Sequence, residues 1–222
     1  MAYMIAENDR ARLTIEVDEV ARNPREGYEP LGTLVYQNDR SWSGDKDALP
    51  GRSCTDVEDY LYRLAGRYGM ATEDPTNKQV LAFLEKHLIL CGVDIYEHSS
   101  RTFKMNADPK KLFDCEGIMY VEKEAVRKEW GVKRISKQLR ETVLRNFESE
   151  IKEYAAWAEG EVYGFILEEK QPCHCGQADC EDVEWKEIDS CWGFYGDEWH
   201  QNGLADYIPD EYKDLIDKLH YE

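Results

Sequence analysis

The sequence lacks three features that would place the protein in or beyond a membrane. It contains no apolar run close to the ~18 residues of a membrane-spanning helix. Its start, residues 1–18, mixes apolar and charged side chains and lacks the basic and then apolar order of a secretory signal peptide. It also lacks an even set of cysteines, since there are seven, and four stand among hydrophobic residues as free buried thiols usually do: Cys54, Cys91, Cys115 and Cys191. We expect a cytoplasmic protein without a disulfide framework.

Basic residues are scarce. The chain holds 28 lysines and arginines against 46 aspartates and glutamates, a net charge of −18. Residues 1–100 contribute −7 and residues 101–160 contribute +2, while residues 161–222 contribute −13 from 17 acidic and 4 basic side chains. Such an acidic pole repels nucleic-acid phosphates and anionic membranes and attracts basic protein surfaces. The charge therefore argues against direct binding to nucleic acid or membrane and predicts a basic protein partner, with solubility alone as the alternative meaning.

The pattern of apolar residues predicts an α+β fold in a single domain, residues 1–222. We expect a small, mostly antiparallel sheet with about four to five helices. The longest helix is amphipathic and covers about 137–159, where apolar residues recur at steps of three and four after a Ser136 cap. Two further helices form a helical insertion at about 53–88, each opened by a threonine cap, Thr55 and Thr76. Strands are expected near 89–96, 117–121, 162–167 and 188–195.

A cysteine-rich loop at 171–186 carries the sharpest local signal. Three thiols and an imidazole lie within eight residues around a glycine: Cys173, His174, Cys175 and Cys180. Zinc prefers four such ligands in a tetrahedron, and a site with four protein ligands is structural because it leaves no position for water. The spacing predicts a structural zinc site whose fourth ligand is His174, His200 or Cys191. The alternative is a loop of reduced cysteines.

Carboxylates surround the same part of the chain and are the candidate partner-binding residues: Glu181, Asp182, Glu184, Glu187, Asp189, Asp197 and Glu198. They overlap an aromatic stretch, residues 189–196, that is typical either of a binding groove or of a core strand. A catalytic triplet of Cys191, His200 and Asp189 can be written down, because cysteine catalysis needs a base and an orienting carboxylate. No local signature supports it, so no catalytic residue is predicted.

Three groups of residues resemble a family of small phage-encoded proteins of unknown function. The first is Asn23-Pro24-Arg25 with Leu31-Gly32-Thr33-Leu34-Val35, and the second is Tyr120-Val121 leading to Arg127-Lys128-Glu129-Trp130-Gly131. The third is Val162-Tyr163-Gly164-Phe165 together with Asp189-Ser190-Cys191-Trp192-Gly193-Phe194-Tyr195-Gly196. The chain departs from the family at the helical insertion and at the cysteine-rich loop. The resemblance implies no activity and no catalytic residues.

Charge and resemblance together predict a phage-encoded acidic accessory protein. In this hypothesis it binds and inhibits a host nucleic-acid enzyme or an antiviral defence complex, such as a CRISPR or restriction system, by occupying a basic channel as DNA phosphates would. The partner would be a host protein with a basic nucleic-acid-binding surface, met in the host cytoplasm. A zinc-stabilised interaction module is the alternative, followed by an enzyme that uses a cysteine or a metal.

Overall fold

Residues 4–26, 29–38, 41–48, 54–97, 101–172 and 183–221 are described by the computed structural model of the chain. Ten strands follow one another in chain order: β1 (Met4–Glu7), β2 (Ala11–Val17), β3 (Thr33–Asn38), β4 (Ser41–Gly44), β5 (Leu88–Glu97), β6 (Arg101–Asn106), β7 (Gly117–Glu122), β8 (Val162–Pro172), β9 (Val183–Tyr195) and β10 (His220–Tyr221). The α-helices are α1 (Val57–Arg67), α2 (Asn77–His87), α3 (Lys123–Glu129), α4 (Lys137–Glu159) and α5 (Leu204–Tyr207). Short 3₁₀ helices cover Lys46–Ala48 and Leu112–Asp114, and a longer one covers Asp210–Lys218.

The chain divides into two units, which we call unit 1 (Met1–Asn23 and Ala156–Glu222) and unit 2 (Pro24–Ala155). Each contains one antiparallel sheet of five strands, which confirms the predicted α+β class, although the sequence suggested one sheet instead of two. The assignment of residues 1–222 to a single domain stays a prediction.

Unit 1 has the strand order β10-β1-β2-β8-β9. One face of this sheet is apolar, because alternate residues of β2 and β8 bury Leu13, Ile15, Phe165 and Leu167. The 3₁₀ helix Asp210–Lys218 covers that face with buried side chains. We call it the core face, and we call the opposite side the outer face.

Unit 2 has the strand order β4-β3-β7-β5-β6. Helices α1 and α2 occupy the predicted helical insertion and pack their apolar sides into the core of this unit. Thr76 and Gln79 form the predicted capping box of α2. The cap of α1 is Asp56 instead of Thr55, since its carboxylate accepts a 2.8 Å hydrogen bond from the Asp59 amide. The bounds of α4 confirm the predicted long helix.

The predicted cysteine-rich loop is shorter than expected. Residues 171–172 belong to β8 and residues 183–186 belong to β9, and Pro172 pairs with Val183. The alternation of polar and apolar residues is weak there, so the sequence pattern ended β8 too early and began β9 too late. The remaining residues of the loop, 173–182, lie outside the described residues.

A buried arginine organises the start of β3 in unit 2. The Arg25 side chain is 5% exposed and donates two hydrogen bonds to the Asp45 carboxylate, at 2.8 and 2.6 Å, and one to Glu150 at 2.9 Å. It also donates to the Gly32 carbonyl. Burial alone lowers the pKa of Arg25, but hydrogen bonds and charges from Asp45 and Glu150 outweigh it and raise the pKa.

We expect Arg25→Ala to lower the free energy of unfolding of unit 2 by about 3 to 5 kcal/mol, because it leaves two carboxylates without their cation in a partly buried site. Urea denaturation followed by circular dichroism measures this loss. Lys46→Ala is the matched control, since the ion pair of Lys46 with Glu26 is exposed and should contribute less than ~1 kcal/mol. Equal losses in the two variants would contradict an organising role for Arg25.

Candidate functional site

The acidity of the protein is concentrated in unit 1. Its residues include 23 acidic and 7 basic side chains, a net charge of −16, whereas unit 2 has 23 acidic and 21 basic side chains, a net charge of −2. The two values account for the −18 of the whole chain. A surface with such an excess of one charge steers oppositely charged partners toward it over long range. A surface that attracts basic partners is therefore expected in unit 1.

Strand β9 is the edge of the unit 1 sheet and pairs with β8 alone among the described strands. Two β-bulges shift its register, between Tyr163 and Gly164 and between Leu167 and Glu168 on the β8 side. Bulges and charged side chains are the usual devices that keep an edge strand from pairing with another chain. Recognition at β9 is therefore expected to use side chains.

The pairing with β8 distributes the predicted carboxylates of β9 over both faces of the sheet. Glu187 pairs with Glu168 on the outer face, while Glu184 and Asp189 pair with Gln171 and Leu167 on the core-face side. Asp197 and Glu198 follow β9 and are exposed. Glu181 and Asp182 lie outside the described residues. The carboxylates thus border the edge from two sides instead of forming one face.

Two large apolar side chains are exposed on β9, Ile188 at 40% and Trp192 at 44%. Trp192 lies across from Gly164 on the outer face, and a Cβ at Gly164 would be 2.1 Å from its ring atom Cε3. Glycine is therefore required at this position to let the indole rest on β8. A half-exposed tryptophan held against a strand is typical of the anchors of protein interfaces.

A second tryptophan of β9 is fixed by cations. The guanidinium of Arg12 lies 4.7 Å from the ring centre of Trp185, and the ammonium of Lys170 lies 5.7 Å from it. Arg12 also forms a 2.6 Å ion pair with Glu168. These contacts hold Trp185 in place at the end of the hairpin, so the outer face offers a preorganised aromatic surface beside the carboxylates. We define the β9 surface by the exposed or half-exposed carboxylates, tryptophans and isoleucine in and just after β9: Glu184, Trp185, Glu187, Ile188, Asp189, Trp192, Asp197 and Glu198. One cation of the strand, Lys186, is also exposed.

Several carboxylates of the β9 surface have no cationic partner among the described residues. Glu187 accepts a 2.8 Å hydrogen bond from the Ser190 hydroxyl, and Asp189 accepts one of 2.9 Å from the Ser190 amide. Burial, followed by the charges of Glu159 and Asp197, raises the pKa of Glu161. Crowding of unpaired carboxylates costs free energy by self-repulsion, and a basic partner would relieve that cost.

Comparisons with protein-family models, curated proteins and solved structures found no match. Of the helices within the described ranges, none combines the length and apolar character that a bilayer span requires. The candidate site thus rests on the geometry and charge of the chain itself.

The predicted zinc ligands, Cys173, His174, Cys175 and Cys180, lie outside the described residues. Within the described part of the chain, no three histidine, cysteine or acidic side chains come together as a metal site. His200, a candidate fourth ligand, lies 3.2 Å from the Asp217 carboxylate. Pro172 and Val183, the described residues on either side of the predicted zinc ligands in the sequence, are paired.

The structure describes no hydrogen bond between Cys191 and His200. Asp217 instead of Asp189 is the carboxylate beside His200, and the Cys191 thiol has only a 3.9 Å contact with the Trp192 carbonyl. The buried thiols of Cys91 and Cys115 are poor nucleophiles, because burial raises the pKa of each to about 12. Thiol catalysis thus gains no geometric support from the described residues.

Sequence reasoning found the acidic residues but missed Arg12 and Gly164, the residues that hold the two tryptophans of β9 in place. Arg12 and Gly164 lie about 150 residues apart and meet β9 only through the pairing of β2 with β8 and of β8 with β9. The signal available in the sequence was the Gly-aromatic composition of both strands, which suggests close packing across a hairpin.

Gly164→Ala should displace the Trp192 indole from β8, because the added methyl group occupies the place of the ring. In protein labelled with 5-fluorotryptophan, the ¹⁹F resonance assigned to Trp192 by Trp192→Phe is expected to move toward its value in unfolded protein. Gly66→Ala is the control, since a Cβ there meets nothing within 4 Å. An unmoved Trp192 resonance in Gly164→Ala would show that the contact is not made in solution.

We expect about one zinc ion per chain if the cysteine-rich segment binds metal, and a lower melting temperature after chelation. Elemental analysis of the purified protein and thermal unfolding with and without a chelator measure both. Cys175→Ser should abolish zinc binding, whereas Cys54→Ser, at a cysteine buried in unit 2, should retain it. Protein free of zinc after growth in zinc-supplemented medium would contradict the site.

Proposed function

We propose that the protein is an acidic binding protein whose β9 surface occupies the basic nucleic-acid-binding surface of a partner protein. By analogy with the phage-encoded family it resembles, the partner is a host nucleic-acid enzyme or an antiviral defence complex, met in the host cytoplasm. The protein acts as an inhibitor because its carboxylates take the place of DNA or RNA phosphates.

The observation that carries the proposal is the combination of exposed anchors and unpaired carboxylates on one edge strand. Ile188 and Trp192 supply apolar contact area, and Glu187 and Asp189 supply charge without a cation of their own among the described residues. Solubility accounts for exposed carboxylates but not for two large apolar side chains exposed between them. A basic partner surface with an apolar depression would pair with the carboxylates and bury the two apolar side chains.

The net charge of −16 in unit 1 supports the same proposal. Channels that hold nucleic acid are lined with lysine and arginine, and their affinity for polyanions falls steeply with salt because counterions are displaced. An acidic protein that competes for the same channel is attracted by the same positive charges. Its binding should weaken with salt, while the apolar contacts of Trp192 should give residual affinity that salt does not remove.

The test is displacement of DNA-binding proteins by the purified protein. A nuclease-treated bacterial lysate is loaded on immobilised duplex DNA, and the column is eluted with the protein at low and at raised salt. We expect a small set of DNA-bound proteins to be released at low salt, and mass spectrometry identifies them. Their nuclease or DNA-binding activity should then be inhibited in proportion to the protein added.

The variant Glu187→Gln, Asp189→Asn, Glu198→Gln should bind each released partner roughly 3- to 100-fold more weakly, since three exposed charge contacts contribute about 0.2 to 1 kcal/mol each. The amides keep hydrogen-bond acceptors at all three positions. The matched control is Glu124→Gln, Glu129→Gln, Glu148→Gln, which removes the same charge from exposed positions of α3 and α4. Affinity is measured by calorimetry with the partner.

Two results would count against the proposal. If the control variant loses as much affinity as the β9 variant, net charge and not the β9 surface drives binding. If the protein releases no DNA-bound protein at low salt from the lysate of any tested host, occupation of a nucleic-acid surface is contradicted. Trp192→Ala separates the apolar contribution, since it should weaken binding at raised salt as well as at low salt.

A further inference from the structure

Unit 2 contains a cavity of about 50 Å³ between α2, β5, α4 and the segment that follows β6. Leu81, Leu90 and Leu144 give it apolar walls, and Asn106 and Arg140 bring polar groups to it. Its volume exceeds the ~10 to 15 Å³ that a cavity needs to hold one water molecule, so it can receive a small polar group. An apolar recess with a few converging polar groups is the usual form of a small-molecule site.

Arg140 is the unusual member of the lining. It is half-buried, yet its guanidinium makes no hydrogen bond or ion pair with any residue that the structure describes. A guanidinium has five N–H donors, and the chain offers 46 carboxylates. Partial burial of a cation without a partner costs free energy unless a ligand supplies the missing acceptors.

A second cation, Lys123, lies near Arg140, and a third, Arg127, lies near Lys123. The Lys123 ammonium donates to the Glu85 carbonyl and makes no ion pair among the described side chains. Burial lowers the pKa of Lys123, and the positive charges of Arg140 and Arg127 lower it further, while Glu85 opposes them. Arg127 likewise has no ion-pair partner in the described ranges. Arg140 lines the cavity together with the carboxylates of Glu85 and Asp108, and Lys123 and Arg127 lie outside this lining. The three cations exceed these two carboxylates by one charge.

Two other polar side chains of the cavity, Asn106 and Asp108, are already engaged in hydrogen bonds. The exposed Asp108 carboxylate accepts a 3.0 Å hydrogen bond from the Lys110 amide and so closes a turn. Asn106 accepts from the Asp108 amide at 3.1 Å and donates to Asp94 at 2.9 Å. These bonds fix the rim of the cavity without neutralising Arg140.

We propose that this cavity is a binding site for a phosphate group, carried by a nucleotide or present as free phosphate, with Arg140 as its principal ligand. Arginine binds phosphate through two parallel hydrogen bonds. A phosphate monoester carries close to two negative charges at neutral pH, which suits a cluster of three cations better than a carboxylate does. The site lies in unit 2 and does not depend on the function proposed for β9.

Calorimetric titration of the full-length protein with inorganic phosphate and, separately, with AMP tests the site. Saturable binding of either probe supports it, and tighter binding of AMP than of phosphate identifies a nucleotide as the source. Arg140→Gln should weaken the affinity by at least about tenfold, since it removes a charge-assisted bidentate contact. Arg134→Gln, which removes an exposed cation from the same segment, should change the affinity by less than about twofold.

Lys123→Met is a second test in case Arg140→Gln fails to fold. It removes a neighbouring charge and keeps the side-chain length, so it should also weaken phosphate binding. Circular dichroism verifies the fold of both variants. If neither probe saturates the protein at concentrations up to roughly 10 mM, the proposal is overturned. A dissociation constant above that value corresponds to a binding free energy of less than about 3 kcal/mol. Equal losses in Arg134→Gln and Arg140→Gln overturn it too. So does binding of a duplex oligonucleotide without binding of either small probe, since that indicates an extended basic surface.

Discussion

The organisation of unit 2 depends on the neutralisation of one buried cation. Arg25 reaches Asp45 and Glu150, and these carboxylates in turn accept backbone amides of the segment that opens β3: Leu31, Gly32 and Leu34. Both carboxylates therefore do two tasks, because each pairs with the guanidinium and holds the main chain. Removal of the guanidinium would leave both carboxylates without their cation and the Gly32 carbonyl without this donor, which is the expensive case for an ion pair in a partly buried site.

The same network explains the glycine within it. A Cβ at Gly32 would lie 2.5 Å from Met119 Cε and 2.7 Å from Phe147 Cε1, so only glycine lets the backbone approach these core side chains. The carbonyl of Gly32 is then close enough to accept from Arg25. Two parts of the phage-family resemblance, Asn23-Pro24-Arg25 and Leu31-Gly32-Thr33, thus meet in one structural arrangement. Their proximity gives the pattern a physical reason, and the family assignment itself stays a prediction.

The helices were predictable because their signals are local. The Thr76 and Gln79 capping box and the periodicity of α4 involve residues within one or two turns. The two sheets were not predictable in the same way, since β2 pairs with β8 across more than half of the chain. Arg25 lies 20 residues from Asp45 and 125 residues from Glu150 in the sequence, so no local pattern predicts their ion pairs. Within β9, two bulges break the alternation, and the face of each carboxylate could not be counted from the sequence.

Net charge alone does not account for where the ionic groups lie. A protein that needed only solubility could pair Arg140 with one of its 46 carboxylates and bury Trp192, and both changes would reduce the cost of exposed or unpaired groups. Instead, Glu187 and Asp189 of β9 have no ion-pair partner among the described residues, while unit 2 keeps Arg140 without one in the lining of a cavity. These charges fit the two ligands proposed above, a basic protein surface for β9 and a phosphate for Arg140. Because each of these features costs stability in the isolated chain, binding is the reason that best explains its presence.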